Sequence, residues 1–174
     1  MDDRNLSQIV EAVVKNLASE ASDLNKCTSC TNKKYIKMSL CMAKKIAQKV
    51  EEKAKEIGVK AVVAISNEGA RPVLVECMDD SYIASYDVAF QKAYTVVSLK
   101  MSTTTLKGLS QPGQPLYGIQ FTNQGQIVIF GGGEPLKVGD RVIGGLGVSG
   151  GSEEQDTYLA SYGKEVFETL IKNL

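Results

Sequence analysis

Apolar residues recur at helical spacing in four stretches of the chain, and the segments between those stretches alternate or break in ways that predict strands and turns. Residues 5–18 place Leu6, Ile9, Val10, Val13, Val14 and Leu17 on one stripe, with Asp2, Asp3, Arg4, Glu11 and Lys15 covering the rest. That pattern predicts a short amphipathic helix. Residues 19–34 mix Ser, Asn, Asp, Thr, Lys and two cysteines with almost nothing large and apolar, the composition of a linker. The chain therefore divides into a separate N-terminal helix over 1–20, a linker over 21–34 that holds a Cys-x-x-Cys pair, and a folded domain over 35–174.

Within that domain, Met38 to Ile57 has Cys41, Met42, Ile46, Val50, Ala54 and Ile57 on an inner face and Gly58 at its stop, which predicts a helix. Lys60–Ser66 and Arg71–Cys77 are β-branched runs joined by Asn67-Glu68-Gly69-Ala70, a hairpin pattern. Ser81–Lys100 returns to helical period through Tyr82, Tyr86, Ala89, Phe90, Ala93, Tyr94 and Val97, with Asp79, Asp80 and Ser81 as candidate caps. A loop is expected over Met101–Pro115. The segment Gly118–Gly133 turns at Asn123-Gln124-Gly125-Gln126 and continues as a strand over Ile127–Phe130, and Arg141–Ser149 is a further, glycine-diluted strand. Ser152 and Gln155 have capping-box spacing before a last helix whose stripe is Tyr158, Leu159, Tyr162, Val166, Phe167 and Leu170. Hairpin-length links imply an α+β domain with an antiparallel sheet of about five strands flanked by helices.

Composition narrows the chemistry. The chain has 174 residues, with 20 Lys+Arg against 20 Asp+Glu and no long basic run, so no nucleic-acid partner is expected. No apolar run reaches the ~18 residues that span a bilayer, and residues 1–10 are acidic where a secretory leader is basic, so no membrane association is expected and the location is cytoplasmic. Histidine is absent. That excludes Ser-His-Asp and Cys-His nucleophile systems, His-ligated zinc and a proximal histidine on haem.

Nine of the sixteen glycines fall in the 21 residues from Gly131 to Gly151. Such density allows backbones to approach a ligand or one another, and frees N–H groups at the start of the last helix; on spacing alone, turns and a bulged strand are the favoured account. Neither glycine stretch is a Walker loop or a dinucleotide fingerprint. Cys27 and Cys30 have chelating spacing for a metal or cluster, yet a second pair is missing, and two linker cysteines without a fixed role are the alternative. Asp79-Asp80 and Glu153-Glu154 sit at helix starts, where the dipole favours acids, and read as caps.

The run Gln111-Pro112-Gly113-Gln114-Pro115-Leu116-Tyr117-Gly118, then Gly131-Gly132-Gly133-Glu134-Pro135-Leu136, then Ile143-Gly144-Gly145-Leu146-Gly147-Val148-Ser149-Gly150-Gly151 with Gln155-Asp156, resembles the GlcG/HbpS family. Asn67-Glu68-Gly69, Met78-Asp79 and the stretch from Ala89 to Thr95 fit the same resemblance, which covers about residues 36–170. The resemblance implies a profilin-like α/β/α sandwich, a tendency to form homo-oligomers, and in some members a pocket for haem or another tetrapyrrole. The family also includes the C-terminal domain of PduO-type cobalamin adenosyltransferases, whose transferase activity belongs to a different domain. Cofactor contacts are expected from Gly132, Gly133, Pro135, Ser149, Gly150 and Gly151, with Asp156 capping the helix or facing the pocket. Members that hold haem through histidine cannot be copied here. Substitute ligands would come from Met38, Cys41, Met42 or a tyrosine, residues that the helical pattern also explains as core. The leading expectation is a non-catalytic cofactor-binding accessory protein. A small-molecule enzyme and a structural cargo protein are the alternatives.

The stripe Leu6, Ile9, Val10, Val13, Val14 and Leu17 on its polar tether resembles the encapsulation peptides that route cargo into bacterial microcompartments. It implies shell or cargo proteins as partners and the compartment lumen as the location; an ordinary core helix is the alternative. A helix of this length is marginal alone and needs a surface to pack on.

Overall fold

The computed structural model describes residues 36–173. The expected helix over 5–18, with its apolar stripe, and the cysteine pair Cys27 and Cys30 lie outside the described residues. The elements are α1 (Leu40–Glu56), β1 (Val62–Asn67), β2 (Pro72–Cys77), α2 (Ile83–Leu99), α3 (Thr103–Leu109), β3 (Gly133–Val138), β4 (Arg141–Ser149) and α4 (Glu153–Lys172). The sheet is wholly antiparallel, in the order β2-β1-β4-β3. This is the expected α+β sandwich. It has four strands among the described residues, where about five were expected.

The two sheet faces are built differently. Val63 and Ile65 of β1 and Leu146 and Val148 of β4 join Met42, Ile46 and Val50 of α1 and Leu159 and Phe167 of α4 in the main core. Burial of this branched, interlocking set supplies most of the driving force for the fold. The opposite face of β4 presents Gly145, Gly147 and Ser149, and α2 lies directly on it: a Cβ on Gly147 would sit 2.1 Å from the Ala89 carbonyl oxygen, and one on Gly145 2.5 Å from that of Ala93. The glycine-diluted strand thus exists to let a helix backbone approach a strand backbone. Ser66 Oγ seals the contact by donating to the Ala93 carbonyl at 3.0 Å.

That close approach corrects the inner face expected for α2. Its buried residues include Ser85, Ala89, Lys92, Ala93 and Val96, while Tyr82 and Tyr86 stay exposed at 73% and 49%, because the stripe that lies over Gly145 and Gly147 is that of Ala89, Lys92, Ala93 and Val96. Nor do the expected caps act there. Tyr82 occupies the N-cap position without a side-chain bond, and Asp80 pairs instead with Lys60.

Two more boundaries move. The loop expected over Met101–Pro115 contains α3, capped by Ser102 Oγ. Ile127–Phe130 forms no strand, since Val128 N–H donates to Thr95 Oγ1 on α2 at 3.0 Å and is thereby unavailable to a ladder. The strand lies six residues later, in Gly133–Val138, where Pro135 is tolerated because β3 is an edge. The hairpin at residues 67–70 forms as expected, held by Asn67 Oδ1 accepting from Gly69 and Arg71 N–H. So does the capping box of Ser152 and Gln155 on α4.

Candidate functional site

The glycine-rich segments meet around a buried charge. Lys92 projects from α2 into the sandwich and is fully buried. Its ammonium donates to the Val148 carbonyl at 2.7 Å and to Asp156 Oδ2 at 2.8 Å, and lies 5.1 Å from the centre of the Phe130 ring. Burial pushes the Lys92 pKa below the ordinary lysine value, and the Asp156 carboxylate opposes that fall. Asp156 spends its other oxygen, Oδ1, on the Gly151 N–H at 2.9 Å. One carboxylate on the first turn of α4 therefore ties α2, the end of β4 and the Ser-Gly-Gly turn together.

The triple glycine closes over this pair. Gly132 has φ +105°, a region closed to most side chains, and a Cβ there would lie 2.6 Å from the Lys92 ammonium. Gly131 N–H donates to Glu153 Oε1 at 2.8 Å, and Glu153 Oε2 meets Lys107 at 2.7 Å. These two donors, Lys107 first and then the Gly131 amide, hold the Glu153 carboxyl below the usual glutamate range. Gly133 N–H donates to Thr103 Oγ1 at 2.9 Å.

A groove opens on the other side of the Ser-Gly-Gly turn. Two adjoining depressions of about 530 and 510 Å³ share Gly58, Val59, Lys60 and Asp80. One extends past Lys55, Cys77 and Met78, the other past Tyr82, Gly150 and Gly151. Their size is that of a small-molecule site. Lys60 and Asp80 form an exposed ion pair at 2.6 Å across the shared part. The Met78 sulfur accepts the Ala61 N–H, and Cys77 is exposed. Burial, and then the facing Glu76, push the Glu51 carboxyl up at the rim.

The structure thus sorts the expected contact residues into two groups. Gly132, Gly133, Pro135, Ser149 and Asp156 are buried and packed, Ser149 through its hydroxyl on Ser85 at 3.2 Å. Gly150 and Gly151 reach the groove. The helix-start donors expected to face a ligand are partly spent inside: Gly151 N–H on Asp156, and Ser152 N–H on Gln155 Oε1. Of the substitute ligands, Met38 and Met42 are in the core and Cys41 is half-buried. Asp156 both faces inward and binds the turn before its helix. Lys92, Lys60 and Cys77 are what the sequence reading missed. Lys92 had a signal, a lysine set three residues after Ala89 in a stripe of small residues.

The family model described as "Haem degrading protein HbpS-like" matches residues 38–165. An uncharacterized 15.0 kDa protein from the dhaT-dhaS intergenic region of Citrobacter freundii is 45% identical over 133 residues, 76% of this chain and 94% of that protein. The corrinoid adenosyltransferase PduO of Citrobacter freundii is 35% identical over 133 residues, and this chain spans 40% of its length. Among solved structures, a PduOC:heme complex is 34% identical, covers 75% of this chain and 95% of its own, and superposes with a TM-score of 0.73.

Proposed function

We propose that this chain, which belongs to the HbpS-like family, is an accessory protein that binds haem or another tetrapyrrole in the groove around Lys60, as a homo-oligomer packaged in a bacterial microcompartment. The observation that carries the binding reading is the haem complex formed by a relative aligned over 95% of its length at 34% identity. The groove residues suit such a ring. Lys55 and Lys60 supply cations for peripheral carboxylates, Tyr82 an aromatic face, and Gly150 and Gly151 a thin wall. Gly132, Gly133, Pro135, Ser149 and Asp156 form the frame behind that wall. Haem, when bound, supplies iron redox chemistry; the chain holds its carboxylates and shields one face from water. With no histidine in the chain, the exposed Cys77 thiol, the Met78 thioether and the Tyr82 phenol are the donors that line the groove among the described residues.

Ferric haem titrated into the full chain is expected to give saturable binding with a spectrum unlike bis-imidazole ligation. Lys60→Glu is expected to weaken that binding at least tenfold. Failure of the wild-type chain to saturate overturns the reading. Gly150→Val is unsuitable as a blocking variant: a Cβ there lies 2.4 Å from the Lys60 carbonyl oxygen, so the change strains the backbone rather than filling the groove. The family description favours a second reading, haem degradation. Loss of bound-haem absorbance on adding reductant and oxygen, with an open-chain product, would establish it.

The packaging reading rests on Leu6, Ile9, Val10, Val13, Val14 and Leu17. Residues 1–20 fused to a fluorescent protein are expected to co-localise with compartment shells, and Ile9→Glu with Val13→Glu to abolish this by charging the stripe. A diffuse wild-type fusion in cells with intact shells overturns it. Cys27 and Cys30 are assigned to a shared metal or cluster, which metal analysis of anaerobically purified protein tests against Cys27→Ser.

A further inference from the structure

We propose that Asp80 is a built-in competitor for the groove: its carboxylate occupies Lys60 in the place of a ligand carboxylate, and a ligand that bears one must displace it. The proposal deepens the binding reading above and rests on it. Lys60 and Asp80 lie in the part of the groove that both depressions share. Lys60 Nζ donates to Asp80 Oδ2 at 2.6 Å, and neither side chain makes another ion pair among the described residues. That hydrogen bond, and then the charge behind it, holds the Asp80 carboxyl below the usual aspartate range. The two cations offered to a ligand therefore differ. Lys55 makes no ion pair among the described residues, whereas Lys60 is already engaged.

The backbone fixes both partners and leaves the contact between them able to part. Gly150 lies against the main chain of Lys60, so closely that a Cβ there would stand 2.4 Å from the Lys60 carbonyl oxygen. Ala61, the next residue, grips Met78 twice: its carbonyl accepts the Met78 N–H at 3.0 Å, and its own N–H donates to the Met78 sulfur at 3.3 Å. Met78 opens a turn that the Ser81 N–H closes on the Met78 carbonyl at 3.1 Å. Asp80 is the third residue of that turn, with φ +60°. Glycine or asparagine is the usual choice for a positive φ at that position. The turn thus carries a carboxylate where the backbone alone favours an uncharged residue, and that carboxylate meets the shared lysine. An exposed ion pair adds little to the stability of a fold, so this one separates at small cost. The flexible four-carbon stem of Lys60 lets its ammonium change partner while the main chain stays in place. A ligand carboxylate then replaces Asp80 one for one, and Asp80 turns to water.

Asp80→Asn keeps the size of the side chain and its tolerance of a positive φ, and removes the competing charge. In a titration of the full chain with ferric haem, this variant is expected to bind about threefold more tightly than wild type, the scale of one exposed ion pair. Asp79→Asn removes an equal charge from the same groove without touching the Lys60 pair, and its gain is expected to be distinctly smaller. Ferric haem dimethyl ester, with both carboxylates masked, is expected to bind Asp80→Asn and wild type alike. In a Lys60→Met background the gain from Asp80→Asn is expected to vanish. Equal haem affinity of wild type and Asp80→Asn overturns the inference and leaves the binding reading standing. So does a gain that Asp79→Asn matches, that the dimethyl ester shares, or that survives in Lys60→Met. A wild-type chain that does not saturate with haem overturns both.

Discussion

The two edges of the sheet are treated in opposite ways. Edge β3 is blocked: Pro135 removes a donor, Gly133 N–H is taken by Thr103 from α3, and Glu134 is paired at 3.1 Å with Lys164 of α4. Behind it lies the Lys92–Asp156 pair, which fixes the glycine loop leading into the strand. Among the described residues, edge β2 has none of this protection beyond Pro72 and the bulge at Val73, and its Val75 and Cys77 turn their backbone outward beside exposed aromatics. Proteins usually disarm a strand edge with proline, charge or a covering element. Among the described residues this fold disarms one edge and leaves the other open.

The sharpest way to break the blocked side is Asp156→Ala. It leaves the Lys92 ammonium buried without its counter-ion, and is expected to cost about 3–5 kcal/mol, read as a fall in the urea midpoint. Hydrogen exchange of the Gly131 and Gly133 amides should accelerate more than that of β2. Gly147→Ala comes next. The new methyl meets the Ala89 carbonyl, so α2 must lift from β4, at an expected cost of about 1–3 kcal/mol in thermal unfolding. On the open side, Cys77→Ala is expected to change stability by less than about 0.5 kcal/mol, because an exposed side chain at an edge loses little packing. A loss as large as that of Asp156→Ala would erase the contrast.

The smallest effect expected is acidic loosening at Gly131. The Glu153 carboxyl is held below its ordinary value in the folded chain, so its contribution is present above the unfolded glutamate pKa and is lost as pH falls through the folded one. The Gly131 amide resonance should titrate with a midpoint below the usual glutamate range. A midpoint at or above that range would remove the contact from the account.

What the sequence made legible follows from range. Helix α1, the hairpin turn and the capping box of α4 depend on residues within a few positions of one another, and all three form where the pattern put them. Strand β3 was misplaced because the competitor for Val128 N–H is Thr95, 33 positions away. The inner face of α2 was misjudged because Tyr82 and Tyr86 look like core until the glycines of β4 come beneath a different stripe of the helix, that of Ala89, Lys92, Ala93 and Val96. In the groove proposed as the site, Gly150 and Gly151 were singled out from their density and the family resemblance. Lys60, Lys55 and Cys77 were not, since the groove they line exists only once β1, β2 and α1 are assembled.

The position of Lys92 also sets a timetable. Its two acceptors lie 56 and 64 residues further along the chain, and β1, at the centre of the sheet, has β4 as one of its two neighbours. A ribosome that has released everything up to Val138 has produced α1, the first hairpin and α2, but has yet to supply the strand that lies between β1 and β3 or the carboxylate that neutralises the lysine. Until β4 emerges the alanine face of α2 has no glycines to rest on, and until α4 emerges Lys92 lacks its carboxylate. Closure of the domain therefore waits for β4 and α4: termination before Arg141 would leave β1 with one neighbour, and termination before Asp156 would leave Lys92 without its carboxylate.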